Sequence, residues 1–234
     1  MTIASTRPRS SLAAAAAALS LSACAATLAE ENGALDPFHP QVYASVHGGP
    51  AAVTGVDLEL VDIDAVKRDE LDTDLGGTAA LAIGVHLSPS WDIELEAGRT
   101  DSSGEIPAFG TFAEFDADFS WTAFMVNARY RPHPGHPWGP YMGAGLGYAT
   151  AVELDLRRAG EGPIGIDGRD SAAVQLFLGA ERTLSASVLG FAELRYFRSL
   201  DSESESYRGV VNGVTESRLR PKSTALLFGL RYRF

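Results

Sequence analysis

Charges of both signs recur at alternate positions inside otherwise apolar segments of this chain. Glu94 and Glu96 alternate with Ile93 and Leu95, Arg129 with Ala128 and Tyr130, and Glu193 and Arg195 with Ala192, Leu194 and Tyr196. Glu181 follows Val174-Gln175-Leu176-Phe177-Leu178, and Arg231 and Arg233 alternate with Leu230, Tyr232 and Phe234. Residues two apart on an extended segment share a face, so each segment has one greasy face and one charged or small face. Carboxylates and guanidinium forks satisfy one another bidentately, and the expected chemistry of this set is a network that closes an interior.

Other constellations carry less. In His133-Pro134-Gly135-His136 two imidazoles lie close together, but Pro134 and Pro137 break any regular element and no carboxylate or cysteine is adjacent. A polar turn is expected there rather than a metal site. Asp69, Glu70, Asp72 and Asp74 lack the spacing of a calcium loop and its terminal glutamate, so a solvated acidic loop is expected, with weak divalent-cation binding as the alternative. His39, His47, His86, His133 and His136 fall mostly at strand ends or turns on the side of the short connections, His47 excepted. No histidine and serine pair accompanies a strand on the opposite side, so no catalytic residues, no metal and no cofactor are expected.

The charge balance excludes one partner class. With 19 lysines and arginines against 30 aspartates and glutamates, the net charge is −11, and nucleic acid is not an expected partner because it demands a concentrated basic face. Only Lys67 and Lys222 are lysines.

At the N-terminal end, Arg7 and Arg9 precede an alanine-rich apolar run from Leu12 to Ala23, with small residues following to Ala29. This pattern predicts a secretory signal peptide over 1–29 and a short lead over 30–40. The run is too weakly hydrophobic, and lacks the basic flank, for a membrane anchor. Cleavage after Thr27-Leu28-Ala29 is the favoured reading. Leu21-Ser22-Ala23-Cys24 offers the alternative of a lipid anchor on Cys24. Cys24 is the only cysteine, so no disulfide can form within the chain.

The elements that must position the charges are about eight strand-like segments, without a convincing helix. They are expected near 41–47, 77–87, 91–99, 119–131, 141–153, 172–183, 188–199 and 223–234. Connections alternate in length: 48–76, 100–118, 154–171 and 200–222 are long, polar and acidic, whereas 88–90, 132–140 and 184–187 are short. An eight-stranded, antiparallel, up-and-down barrel over 41–234 gives that alternation, and segments of about ten residues cross a bilayer at a barrel's tilt. A Greek-key sandwich has no reason to alternate so regularly, and a lipocalin-like barrel fills its interior with apolar side chains. Trp121, Phe124, Tyr130, Trp138, Tyr141, Tyr148, Tyr196, Tyr232 and Phe234 are expected as a girdle at the membrane interfaces.

Several of these segments resemble a known family. Gly77-Thr78-Ala79-Ala80-Leu81-Ala82-Ile83-Gly84-Val85, Met125-Val126-Asn127-Ala128-Arg129-Tyr130, Gly139-Pro140-Tyr141-Met142-Gly143-Ala144-Gly145-Leu146-Gly147-Tyr148 and Gly229-Leu230-Arg231-Tyr232-Arg233-Phe234 are similar to the OmpA-type and opacity-protein-like outer-membrane β-barrels. The resemblance covers roughly residues 40–234. It implies residence in the outer membrane of a Gram-negative bacterium, contact with outer-membrane lipid and lipopolysaccharide, and recognition of Tyr232 and Phe234 by the barrel-insertion machinery. No sequence remains for the peptidoglycan-binding domain of many OmpA-type proteins, so that activity is not carried over. The scaffold hosts many roles. The expectation here is a non-enzymatic surface or envelope-structural protein, in the manner of a surface antigen of the porin family, with an extracellular partner for its long loops. Small-solute passage is the alternative, and lipid A modification the next.

Overall fold

The computed structural model describes residues 41–62, 65–70, 74–106, 115–133, 138–157, 164–200, 204–208 and 214–234. The segment 1–29 expected as a signal peptide, with Cys24, the expected lead over 30–40 with His39, and residues Asp72 and His136 lie outside the described residues. Among those described there is no helix. The strands are β1 (Val42–Asp62), β2 (Ala65–Glu70), β3 (Leu75–His86), β4 (Trp91–Ile106), β5 (Phe115–Tyr130), β6 (Trp138–Arg157), β7 (Ile164–Gly168), β8 (Ser171–Thr183), β9 (Val188–Ser199), β10 (Ser204–Arg208) and β11 (Val214–Arg233).

Eight of them form a closed antiparallel barrel. β1 pairs with β3, and the ladder continues through β4, β5, β6, β8, β9 and β11, which returns to β1 with Tyr43 opposite Arg233 and Ala51 opposite Ala225. β2 extends β1, β7 extends β6, and β10 extends β7. The tight turns after β3 and β8 are closed by hydrogen bonds from Leu87 N to Trp91 O (2.8 Å) and from Leu184 N to Val188 O (2.9 Å). Phe234 N donates to Val42 O, so the chain's final residue and the start of β1 lie at the end that carries these turns.

The strands outrun the segments expected from sequence. Residues 48–62, 100–106, 154–157 and 214–222, read above as loop, are strand, and the short strands β2, β7 and β10 lie within three of these same long connections. The reason is that a greasy outward face is needed only where lipid touches the wall. Past that height the outward face turns polar while the inward face is apolar, so the lipid-facing pattern used to find strands inverts while the hydrogen-bonded ladder continues.

Register shifts interrupt the longer strands on β6 and at two places between β1 and β11, Thr54/Val56 and Glu59/Leu60. On β6 the pairing with β5 slips between Ser120 and Thr122, where Ala151 adopts φ 48°. Positive φ is unusual for a residue with a Cβ, and here it marks an extra residue that resets the alternation. As a result Ala149 and Val152 both point inward, Leu154 and Leu156 follow them, and Asp155 and Arg157 face outward. On β11 the register to β1 slips between Thr54 and Val56, beside Pro221, which has no N–H for the ladder.

The faces separate cleanly. Outside, Leu81, Ile93, Phe124, Val126, Met142, Leu146, Leu176, Leu178, Leu194, Leu226, Phe228 and Leu230 are exposed and form an apolar belt. From Trp138 to Tyr148 the outward residues of β6 cover about 33 Å of strand, or about 25 Å along the axis at a tilt of about 40°, the height of a barrel's lipid-facing band. Trp91, Trp138, Tyr232 and Phe234 are exposed at the tight-turn end. Two residues assigned above to the girdle belong inside: Trp121 and Tyr141 are 1% and 2% exposed. Trp121 shares strand parity with Asn127 and Arg129, and Tyr141 with Gly143 and Gly145, so the pleat turns both inward.

The interior has two layers. Toward the long connections it is an apolar core of Ala51, Val53, Phe119, Trp121, Met125, Val152, Leu154, Leu156, Ile166, Phe197 and Leu227. Trp121 stacks on Phe197 with centroids 5.8 Å apart and tilts against Phe119 at 5.4 Å. Toward the tight turns the interior is charged.

Candidate functional site

The charged layer is built from inward positions of β4, β5, β8, β9 and β11. Asp92, Glu94, Glu96, Glu181 and Glu193 supply five buried carboxylates, and Arg129, Arg195 and Arg231 are buried with them. Arg131, just past β5, joins from the tight-turn end. Each ion alone in such a place would pay a desolvation penalty of several kcal/mol, so the geometry of pairing decides whether the layer is tolerable.

That pairing crosses the lumen. Arg195 of β9 donates to Glu96 of β4 on the opposite wall, and its Nε donates to Glu193 Oε1 at 2.9 Å. Arg231 Nη1 donates to Glu181 Oε2 at 2.7 Å, passing over β9, and Arg231 Nη2 lies 3.9 Å from Glu94. Arg129 Nη2 donates to Glu94 Oε2 at 3.4 Å and sits 3.9 Å from Glu193. At the tight-turn end Arg131 bridges Asp92 at 2.6 Å and Glu181 at 3.4 Å. Arg233 turns to the inward side, half-buried, and makes no ion pair among the described residues.

Aromatic rings cover the guanidinium faces. Arg129 lies 4.5 Å over the Tyr141 ring and Arg231 4.5 Å over the Tyr43 ring. Both tyrosines need inward glycines: a Cβ at Gly84 would collide with the Tyr43 ring, and one at Gly179 would come within 2.6 Å of Tyr141. Gly143 likewise leaves the space that Phe177 occupies. Tyr141 also donates its hydroxyl to Glu193 Oε2 at 3.0 Å.

Of the residues singled out from sequence, the structure brings together Glu94, Glu96, Arg129, Glu181, Glu193, Arg195 and Arg231. Sequence reasoning missed several members of the layer. Asn127 Nδ2 donates to Glu96 at 3.3 Å and Glu94 at 3.4 Å, and Gln175 donates to Asn127 Oδ1. His47 Nε2 lies 3.6 Å from Glu96, and Asp92 is shared by His86 Nδ1 and Arg131. The available signal was parity, since Asn127 and Gln175 alternate with greasy outward residues, and His86 faces Asp92 across the tight turn after β3. His133 and Asp74 are exposed, and Asp69 and Glu70 lie on β2 rather than in a loop. Tyr232 and Phe234 sit on the outer surface with rings 5.2 Å apart. Among the described residues no cluster of three metal-ligating side chains occurs.

A closed barrel with an apolar belt outside and paired charges inside already restricts the setting to a membrane. The model of the outer membrane protein beta-barrel domain matches residues 11–234. The chain belongs to this outer-membrane β-barrel family. It is a protein of the Gram-negative outer membrane. Its barrel is similar to that of the outer membrane protein OprG from Pseudomonas aeruginosa, at 19% identity and a TM-score of 0.57, over 84% of this chain and 97% of that one. Neisserial surface protein A matches at 15% identity and a TM-score of 0.51, over 84% and 100%. A major outer membrane protein from Thermus thermophilus matches at 14% identity and a TM-score of 0.52, over 84% and 100%. At these identities the likeness concerns the fold. No curated protein matches the sequence.

Proposed function

We propose that this barrel is a non-enzymatic surface or envelope-structural protein whose wall anchors its long-connection end outside the cell. The observation that carries this reading is the filled interior: a charge layer tied across the lumen by Arg195 to Glu96 and Arg231 to Glu181, beneath an apolar layer centred on Trp121 and Phe197. An eight-stranded barrel is only wide enough to be filled by its own side chains, and two stacked layers of opposite polarity oppose the passage of ions and of apolar solutes alike. What remains for the outer end is presentation of the long connections to a partner.

Small-solute passage is the second reading, and one feature favours it. Ser45 Oγ, both ring nitrogens of His47, Arg129 Nη1 and Arg231 Nε are buried without a hydrogen-bond partner, a polar seam that water could follow. Single-channel recording on the purified protein separates the two. Silence, or rare small openings that grow in Arg231→Ala or Glu181→Ala, is expected. A stable conductance of general-porin size in the unaltered protein would overturn the closed-lumen reading.

A further inference from the structure

Above the apolar belt, the outer surface of β9 and β11 carries cations in an unusual arrangement. Arg198 and Lys222 are direct cross-strand partners, and both are exposed on the outward face. Arg220 is exposed near them on β11, past the bulge at Pro221. Side chains directly opposite in an antiparallel pair stand about 5 Å apart at Cβ, and like charges so placed destabilise the sheet. No carboxylate pairs with any of the three among the described residues. Elsewhere on the outward face the pattern differs: Arg99 pairs with Asp101 at 2.9 Å and Arg157 with Asp118 at 3.0 Å.

The height of the cluster is also defined. Below Arg198 and Lys222 comes the rung of Tyr196 and Thr224, and below that the rung of Leu194 and Leu226, part of the apolar belt. The cations therefore stand about 10 Å along the axis beyond the last aliphatic rung, at headgroup level for a lipid leaflet. The outward face of β4, β5 and β6 instead carries Asp101, Glu105, Asp116, Asp118 and Asp155, two of them paired with Arg99 and Arg157.

We propose that Arg198, Lys222 and Arg220 form a seat for the phosphate groups of the anionic glycolipid of the outer leaflet. The phosphate supplies the missing counter-charge between two opposed cations, and its position beside the aliphatic belt lets acyl chains lie on Leu194 and Leu226 while the headgroup is held. This inference rests on the orientation proposed above, with the long connections outside.

The test uses the full-length protein folded in phosphatidylcholine vesicles doped with bis-phosphorylated lipid A, dephosphorylated lipid A or phosphatidylglycerol. Retained lipid is read by native mass spectrometry, and folding by the gel shift between boiled and unboiled samples. Bis-phosphorylated lipid A is expected to be retained and the other two lipids not. Arg198→Gln with Lys222→Gln should weaken retention about fivefold for each cation removed. Arg157→Gln, which removes an arginine already paired, should leave retention unchanged. Equal retention of all three lipids, or a double variant that holds lipid A like the parent, would overturn the proposal. If lipid A is not retained while the barrel folds normally and stays silent in recordings, the seat fails and the closed-barrel reading stands. Labelling of Lys222→Cys on intact cells by a membrane-impermeant reagent is expected; protection of that cysteine until the outer membrane is opened would reverse the orientation and remove the basis for the seat.

Discussion

Arg231 illustrates what a single side chain does in this barrel. It is fully buried, its Nη1 donates to Glu181, and its guanidinium lies over the Tyr43 ring. Truncating it strands Glu181 in the interior with only Arg131 at 3.4 Å. Removing one partner of a buried pair is worth about 3–5 kcal/mol, so Arg231→Ala should lower stability by that order in denaturant titrations of vesicle-embedded protein. Arg99 pairs with Asp101 in the open, and Arg99→Ala should change stability by less than about 1 kcal/mol in the same assay. Equal losses for the two variants would show that the lumen is far wetter than its burial implies. At the surface, Phe234 is expected to matter for assembly rather than for stability. Phe234→Asp should reduce the steady-state level of inserted barrel, measured by immunoblot of outer-membrane fractions, whereas an unchanged level would remove the terminal aromatic from the recognition signal.

Among the elements, β6 shows how one residue can set the polarity of a whole layer. The bulge at Ala151 sends Val152, Leu154 and Leu156 into the apolar core. Were Ala151 paired regularly, the outer half of the strand would shift by one position and Glu153 and Asp155 would turn toward Trp121 and Phe197; deleting Ala151 removes the extra residue and leaves Val152, Leu154 and Leu156 inward. The deletion is therefore expected to keep the heat-modifiable folded form, whereas Leu154→Glu, which puts an unpaired carboxylate into the apolar layer, should abolish it. Ala151→Gly should instead raise stability by roughly 0.5–1 kcal/mol, since glycine adopts positive φ without steric conflict. The same strand shows how far sequence can be read. Met142, Ala144, Leu146 and Tyr148 against Gly143, Gly145 and Gly147 gave the faces of its lower half, because lipid on one side and a narrow lumen on the other impose opposite demands at every step. Its outer half was opaque: Val152, Leu154 and Leu156 still alternate with Glu153 and Asp155, but nothing local announces that the phase has slipped. Trp121 and Tyr141 were misplaced for a different reason. Aromatic type suits both a girdle and a core, and only parity with Arg129 and Gly143 separates the two.

For the whole molecule, the alternation of tight and long connections fixes two unlike ends. Protease treatment of intact cells should cut within 48–76 or 200–222 and spare 132–140, with fragments identified by mass spectrometry; cleavage confined to 132–140 would invert the topology. The closing seam adds a consequence for how the molecule comes into being. β1 meets β11, so Tyr43 lies beside Arg233 although almost the whole described chain separates them. Contacts of such long sequence separation form slowly, because the entropy of ordering the intervening chain is lost before the contact returns anything. Until that seam zips, Arg231 cannot approach Glu94 on β4, and Arg195 and Glu96 belong to an open sheet rather than to facing walls. Wall and interior are therefore completed in one late event, and an intermediate lacking only its last strand exposes an unpaired edge and unmatched charge together. Such a species has no comfortable place in lipid. The passage from open sheet to barrel should accordingly be all-or-none, with a lifetime of the finished state governed by the rate at which a single seam reopens.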